Sequence, residues 1–298
     1  MQAKLYAYLR KNPAPEVLIC EDAAEAQRLF DLCRFKGLEA VVLPDFRATW
    51  LDDLRPFSEE LTQMAEALRR YYGADKKPLV IAPFKTLLFP LPKAELLRTK
   101  QIAFGDRLDL NAFKQELLHW GYTFVDLVEV EGEVSFRGDI IDIFAPGSET
   151  PCRISLFDDE VEQIRAFEVE TQRTLGDELE SFEVHSAPYA FDAAGYERIV
   201  KAVESSQSDS FVKDIDSLGF WYLGDGAEDF LAGRKALAIK PLSALIGEAY
   251  ALNTPQVPQS RFEAVAAIPE DDRVKALAVT DVKTLLEVHA GKKVTIIA

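Results

Sequence analysis

Short, unbroken apolar runs punctuate the first hundred residues at Val17–Cys20, 40–43 and 79–82. Each is too short for a buried helix and too uniformly apolar for a strand with one wet face. Runs of this kind suit strands buried on both faces of a parallel sheet. Amphipathic segments lie between them. Asp22 is placed to cap a helix through Ala24, Leu29, Phe30 and Cys33, which Gly37 can end. A second helix starts at Ser58, repeats Leu61, Met64, Leu68 and Tyr72 at helical spacing, and stops at Gly73. Alternation of this kind predicts βαβ units and an α/β fold.

The pattern changes after residue 97. A helix is predicted over 111–120, followed by strands at 122–130, Glu133–Arg137, 140–144, Cys152–Phe157 and 161–169. Turn signals separate them at Glu131-Gly132, Gly138-Asp139, Pro146-Gly147 and Asp158-Asp159. This reads as an antiparallel β-rich module with at least one helix. Beyond Pro188 helical patterning returns over 193–203, then a polar loop at 204–210, a short apolar segment at 236–239, a connector at 253–260 and a helix at 282–289. The final residues, 294–298, are apolar, as if the chain stopped in a strand at an engineered boundary or halfway through a larger protein.

The chain has 298 residues, 34 Lys+Arg against 50 Asp+Glu, and a formal charge of −16. The length predicts two or three domains. The acidity argues against a basic nucleic-acid clamp, because phosphate contacts draw on an excess of Lys and Arg. No apolar run approaches the ~20 residues that span a bilayer. Three widely spaced cysteines, Cys20, Cys33 and Cys152, suit reduced structural thiols in a cytoplasmic protein.

The parallel sheet invites a nucleotide, but the residues do not. There is no G-x-x-x-x-G-K-[ST] loop, and Glu21-Asp22 follow the first apolar run where such a loop would sit. Gly224-Asp225-Gly226 is a bare G-x-G that reads as a turn. His119, His185 and His289 have no metal-ligand spacing, and Asp158-Asp159-Glu160 reads as a solvated turn. No nucleophile elbow occurs. Catalytic, cofactor and metal sites are therefore all expected to be absent from this stretch.

The β-rich module is the informative part. Residues 98–188 carry 20 acidic and eight basic side chains, a net of −12 of the total −16. In Cys152–Phe157, alternation puts Arg153, Ser155 and Phe157 on one face and Cys152, Ile154 and Leu156 on the other. On the preceding hairpin Arg137 shares a face with Ser135, opposite Val134 and Phe136. Arg beside an aromatic residue on a sheet face suits a protein-binding hot spot. The competing reading pairs the arginines with Asp139 or Asp142 and tucks Phe157 into a corner of the core.

Residues 128–144 (VEVEGEVSFRGDIIDIF) resemble the signature hairpin of the UvrB-like module, and 153–167 with Thr171-Gln-Arg-Thr174 continue the match. The form of 157–174 is closer to the bacterial transcription-repair coupling factor family (Mfd) than to UvrB. Leu43-Pro-Asp-Phe46, Leu54-Arg-Pro-Phe-Ser58 and Val80-Ile-Ala-Pro83 fit the same family. The resemblance implies a degenerate helicase-like, parallel-sheet arrangement in three parts. Domain 1a would take 1–97, starting in the helix after the lost phosphate loop. An inserted α+β domain 2 would take 98–188, and domain 1b 189–298. Domain 2 of this family docks UvrA, and the contact positions carry over to Arg137, Arg153 and Phe157, which favours the docking reading. Ser155 stands where UvrB has an acidic residue, and UvrB's long DNA-gripping hairpin has no counterpart. The family's RNA-polymerase-binding part and its ATP-driven DNA translocase would lie outside these residues. The implied role is recruitment of nucleotide excision repair, without catalysis here. The alternative is a nucleotide-dependent helicase or DNA-binding component of excision repair.

Overall fold

The computed structural model describes residues 2–48, 55–187, 201, 227–243, 245–247 and 257–269. In chain order its elements are α1 (Gln2–Leu9), β1 (Val17–Cys20), α2 (Ala23–Phe35), β2 (Ala40–Val42), α3 (Ser58–Gly73), β3 (Leu79–Pro83), β4 (Leu91–Pro92), β5 (Thr99–Ala103) and α4 (Leu110–His119). There follow β6 (Thr123–Phe124), β7 (Glu133–Arg137), β8 (Ile140–Ile143), β9 (Cys152–Phe157), β10 (Glu160–Ala166), β11 (Ser181–His185), β12 (Ala227–Glu228), β13 (Ala236–Ala238), a short helix Gln259–Glu263, and β14 (Ala266–Ala267). The helices expected at 193–203 and 282–289, the loop at 204–210, most of the connector at 253–260 and the strand at 294–298 lie outside the described residues, except for Lys201 and residues 257–260.

The chain forms two compact units: 1–45 with 74–88 and 231–298, and 46–73 with 89–230. This is a different cut from the sequential one at 97/98 and 188/189. It follows where the chain packs, and it places α3 in the second unit, apart from the βαβ run that flanks it in sequence.

The first unit is built on a parallel sheet in the order β14-β13-β1-β3-β2. Every residue of β1 and β3 is buried, as unbroken apolar runs require. Helix α2 covers one face with Ala26, Leu29, Leu32 and Cys33, against Leu18, Cys20, Ile81 and Leu237. Its start is built by its own acids. Asp22 accepts from the backbone N–H of Glu25 at 2.7 Å, and Glu25 accepts from that of Glu21 at 2.9 Å. Glu21 also pairs with Lys240. Gly37, at φ 69°, ends the helix in the left-handed conformation.

The second unit holds the mixed sheet β10-β9-β8-β7-β6 and the pairs β11-β5 and β12-β4. Helix α3 buries Leu61, Met64, Leu68 and Tyr71. Tyr71, not Tyr72, completes that stripe, and the Tyr72 hydroxyl bonds to Pro92 O and Glu228 Oε1. Helix α4 is capped by Asp109, which accepts from Asn111 N and Ala112 N. It sets Phe113 and Leu117 on the inner face of the sheet, among Val134, Ile141, Ile143, Cys152, Ile154, Leu156, Val161 and Ile164.

Two expectations for this unit are corrected. The strand foreseen over 122–130 shrinks to Thr123–Phe124, and it pairs with β7 in parallel, so the module is not wholly antiparallel. Beyond it the chain turns, with Glu133 Oε2 accepting from Glu129 N and Val130 N. Strand β11, which pairs with β5 in antiparallel fashion, had no expected counterpart. Its sequence, SFEVH, is too short and polar to stand out alone.

Candidate protein-docking site

The inner face of the five-stranded sheet is committed to the core, so alternation sends the intervening side chains outward. Register then decides which of them meet. Ser135, Asp142, Arg153 and Arg165 lie on one cross-strand row, with Arg137, Ile140 and Ser155 on the next. Phe157 lies two residues along from Ser155, where β9 enters the turn at Asp158 (φ 56°).

The structure brings Arg137 and Arg153 together through one carboxylate. Asp142 is 1% exposed and faces both. Arg153 Nε donates to its Oδ1 at 2.6 Å and Arg153 Nη2 to its Oδ2 at 2.9 Å, a bidentate fork. Arg137 Nη2 donates to Oδ2 as well. Burying a carboxylate is costly unless it is paired and hydrogen-bonded, and two guanidinium groups meet that condition here.

Arg153 is held on every side. Its Nη1 donates to Gln172 O at 3.2 Å, and its Cζ lies 4.9 Å from the Phe167 ring centroid. Gln172, at φ 58°, is anchored by its amide to Val128 O and Val169 O. The hydrogen bond to Asp142 pushes the Arg153 pKa further up. Its side chain is 20% exposed, against 46% for Arg137. Phe157 is 70% exposed, so it does not fill a corner of the core. Of the two readings left open by sequence, acid pairing therefore holds for the arginines and burial fails for the phenylalanine.

Sequence reasoning named Asp142 as one possible acid and missed its shared role. Alternation along Ile140-Ile-Asp-Ile143 already set it on the arginine face, but the register that makes it central is tertiary. Ile140, an exposed apolar residue between Arg137 and Ser155, was also missed. Arg165 continues the row and bonds to Glu178 at 2.9 Å, which holds the Glu178 carboxyl below its ordinary range.

Other candidate chemistry is weaker. Among the described residues, no group of three or more His, Cys, Asp and Glu is placed to hold a metal ion. His289 lies outside them. His185 has its ring Nδ1 at 3.1 Å from Thr99 Oγ1, and burial, then the nearby Arg69 charge, lower its pKa. Asp159, in the acidic turn, faces Arg107 at 3.7 Å. All three cysteines are buried free thiols, and burial pushes Cys33 up to about 11 and Cys152 to about 12. Among the described residues no helix is long and apolar enough to cross a membrane.

Comparison with known proteins meets this geometry at the same strands. Residues 101–189 match the family model of the UvrB interaction domain. The whole chain is 36% identical over 306 residues to the transcription-repair-coupling factor of Helicobacter pylori strain 26695, and spans 30% of that protein. The counterpart from Escherichia coli is 31% identical over 55% of the chain, and that from Bacillus subtilis 32% over 57%, covering 14% and 15% of those proteins. The chain thus spans under a third of the relatives it matches. Arg137, Arg153 and Phe157 all fall within the matched domain. The chain carries a UvrB interaction domain and, along its full length, matches the N-terminal region of transcription-repair-coupling factors.

Proposed function

We propose that this chain is the repair-recruitment part of a transcription-repair coupling machine, and that it docks UvrA through the outer face of the β7-β8-β9 sheet. The observation that carries the reading is Phe157. A phenylalanine 70% exposed on a strand whose alternate residues are core is costly to leave in water. It shares its face with the half-exposed Arg137, and aromatic and Arg anchors dominate protein interfaces. Arg137, Arg153 and Phe157 form the proposed site, with Ile140 added by the register.

The reading keeps the three-part, degenerate helicase-like organisation, with the UvrB interaction domain as domain 2. Binding is the activity proposed for these residues, without catalysis or cofactor, in the cytoplasm. ATP, DNA and RNA polymerase are assigned to other parts of the longer relatives. A nucleotide-dependent helicase reading meets an obstacle at α2. The first-turn N–H of Glu25, which would face a phosphate, is taken by Asp22, and Glu21 and Glu25 add two more carboxylates.

The test is calorimetry with purified UvrA. Phe157→Ala with an unchanged thermal melt, and Arg137→Ala in a variant that its melt shows to be folded, should each weaken binding by at least ~2 kcal/mol, the size of a hot spot. Folded variants that bind as tightly as the unmodified chain would refute the assignment. Micromolar ATP binding by the isolated chain would favour the helicase reading instead.

A further inference from the structure

Arg137 and Arg153 do not stand equally on the docking face. Arg153 spends Nε, Nη1 and Nη2 on Asp142 and Gln172 and sets its Cζ over the Phe167 ring. Arg137 gives Nη2 to Asp142 and remains about half exposed. Asp142 itself reaches no solvent. We propose, resting on the docking reading above, that Asp142 is a positioning residue: braced by Arg153, it holds the Arg137 guanidinium ready for the partner, so that Arg153 acts through Asp142 and not by direct contact.

The physical reason is preorganisation. A free arginine on a sheet surface samples many rotamers, and binding must freeze them. Anchoring one nitrogen of Arg137 to a buried carboxylate fixes the group before the partner arrives. The carboxylate in turn needs a second cation, since one half-exposed partner would leave it poorly compensated. Arg153 supplies that charge from the less exposed side. Two cations and one anion leave a single positive charge at the face. The partner it fits presents a carboxylate beside an apolar side chain that covers Ile140 and Phe157.

The experiment combines side-chain NMR of the free chain with calorimetry against UvrA, for the unmodified chain, Asp142→Asn, Arg137→Ala and the double variant. In the free unmodified chain, Arg137 should show hindered rotation of its guanidinium and Arg153 a slowly exchanging Nε–H. Asp142→Asn should release both. The substitution should also weaken UvrA binding about tenfold, within the range for groups sharing one network. In the double variant the loss should be no larger than that of Arg137→Ala alone. Free rotation of Arg137 in the unmodified chain, or losses that multiply in the double variant, overturns the proposal. Should Asp142→Asn fail to fold, Arg153→Lys takes its place. It keeps the charge, loses the fork, and should cost nothing further in the Arg137→Ala background; a further loss there places Arg153 in direct contact and overturns the proposal. Failure of the unmodified chain to bind UvrA removes the docking reading itself, and this inference with it. Tight binding with multiplying losses removes the positioning role alone.

Discussion

Asp142 and Arg153 face each other across β8 and β9 and form a two-point fork, Nε to Oδ1 at 2.6 Å and Nη2 to Oδ2 at 2.9 Å, around a carboxylate that is 1% exposed. This pair decides which residues on the outer face serve the fold and which remain for a partner. Removing the carboxylate should leave two cations without their shared anion. Asp142→Ala is expected to destabilise the chain by about 3 kcal/mol, the lower end for breaking a buried ion pair, because both arginines keep some solvent. Urea titration of the variant checks it, and a loss below ~1 kcal/mol would contradict the pairing.

Phe157 should behave in the opposite way. Its ring is mostly in water, so Phe157→Ala should change stability by no more than ~0.5 kcal/mol. A large loss of UvrA affinity with an unchanged urea midpoint is the expected signature of a residue kept for binding.

The N-cap of α2 gives an independent check on the parallel-sheet unit. Asp22→Ala removes the acceptor for Glu25 N and should cost ~1 kcal/mol, while Asp22→Asn should be nearly neutral. An alanine variant as stable as the unmodified chain would show that the cap contributes nothing.

His185 predicts a pH dependence. Burial and Arg69 lower its folded pKa below the usual 6.5, so in acid the unfolded chain takes up the proton first. Its contribution is present above about pH 6.5 and is lost as pH falls from there through the folded value. Melting temperatures measured from pH 7.5 to 5 should fall less steeply in His185→Gln than in the unmodified chain. Parallel curves would exclude the effect.

The thiols should be inert until the chain opens. Cys33 and Cys152, pushed up to about 11 and about 12 by burial, hold little thiolate at pH 8. Cys20 is pushed up further. A thiol reagent should therefore label none of the three in the native protein and all three in denaturant. Rapid native labelling of Cys152 would show that the sheet core is open.

Much of this arrangement was legible from local pattern. The runs at Val17–Cys20 and 79–82 became wholly buried parallel strands because they carry no polar residue that could face water. Asp22 and Gly37 bracketed α2, since capping and the left-handed end act within a few residues. Alternation along β9 correctly sent Arg153 and Phe157 outward. The pattern failed at 122–130, where apolar residues alternate with acids as in a strand. There Glu133 captures the N–H groups of Glu129 and Val130 and turns the chain instead. Strand β11 was invisible because its partner, β5, lies some 80 residues earlier.

Local periodicity and chemistry thus determined the fully buried strands β1 and β3, the capped helix α2 and the outward set of side chains on β9, because each depends on neighbours a few positions away. Whether Arg137 and Arg153 would share an acid, whether Phe157 would stay in water, and which isoleucine would stand beside them depended on how β7, β8 and β9 align. A shift of one residue in that register would have sent Asp142 to the core face and separated the arginines. The outer face and its buried carboxylate were therefore decided by the tertiary structure.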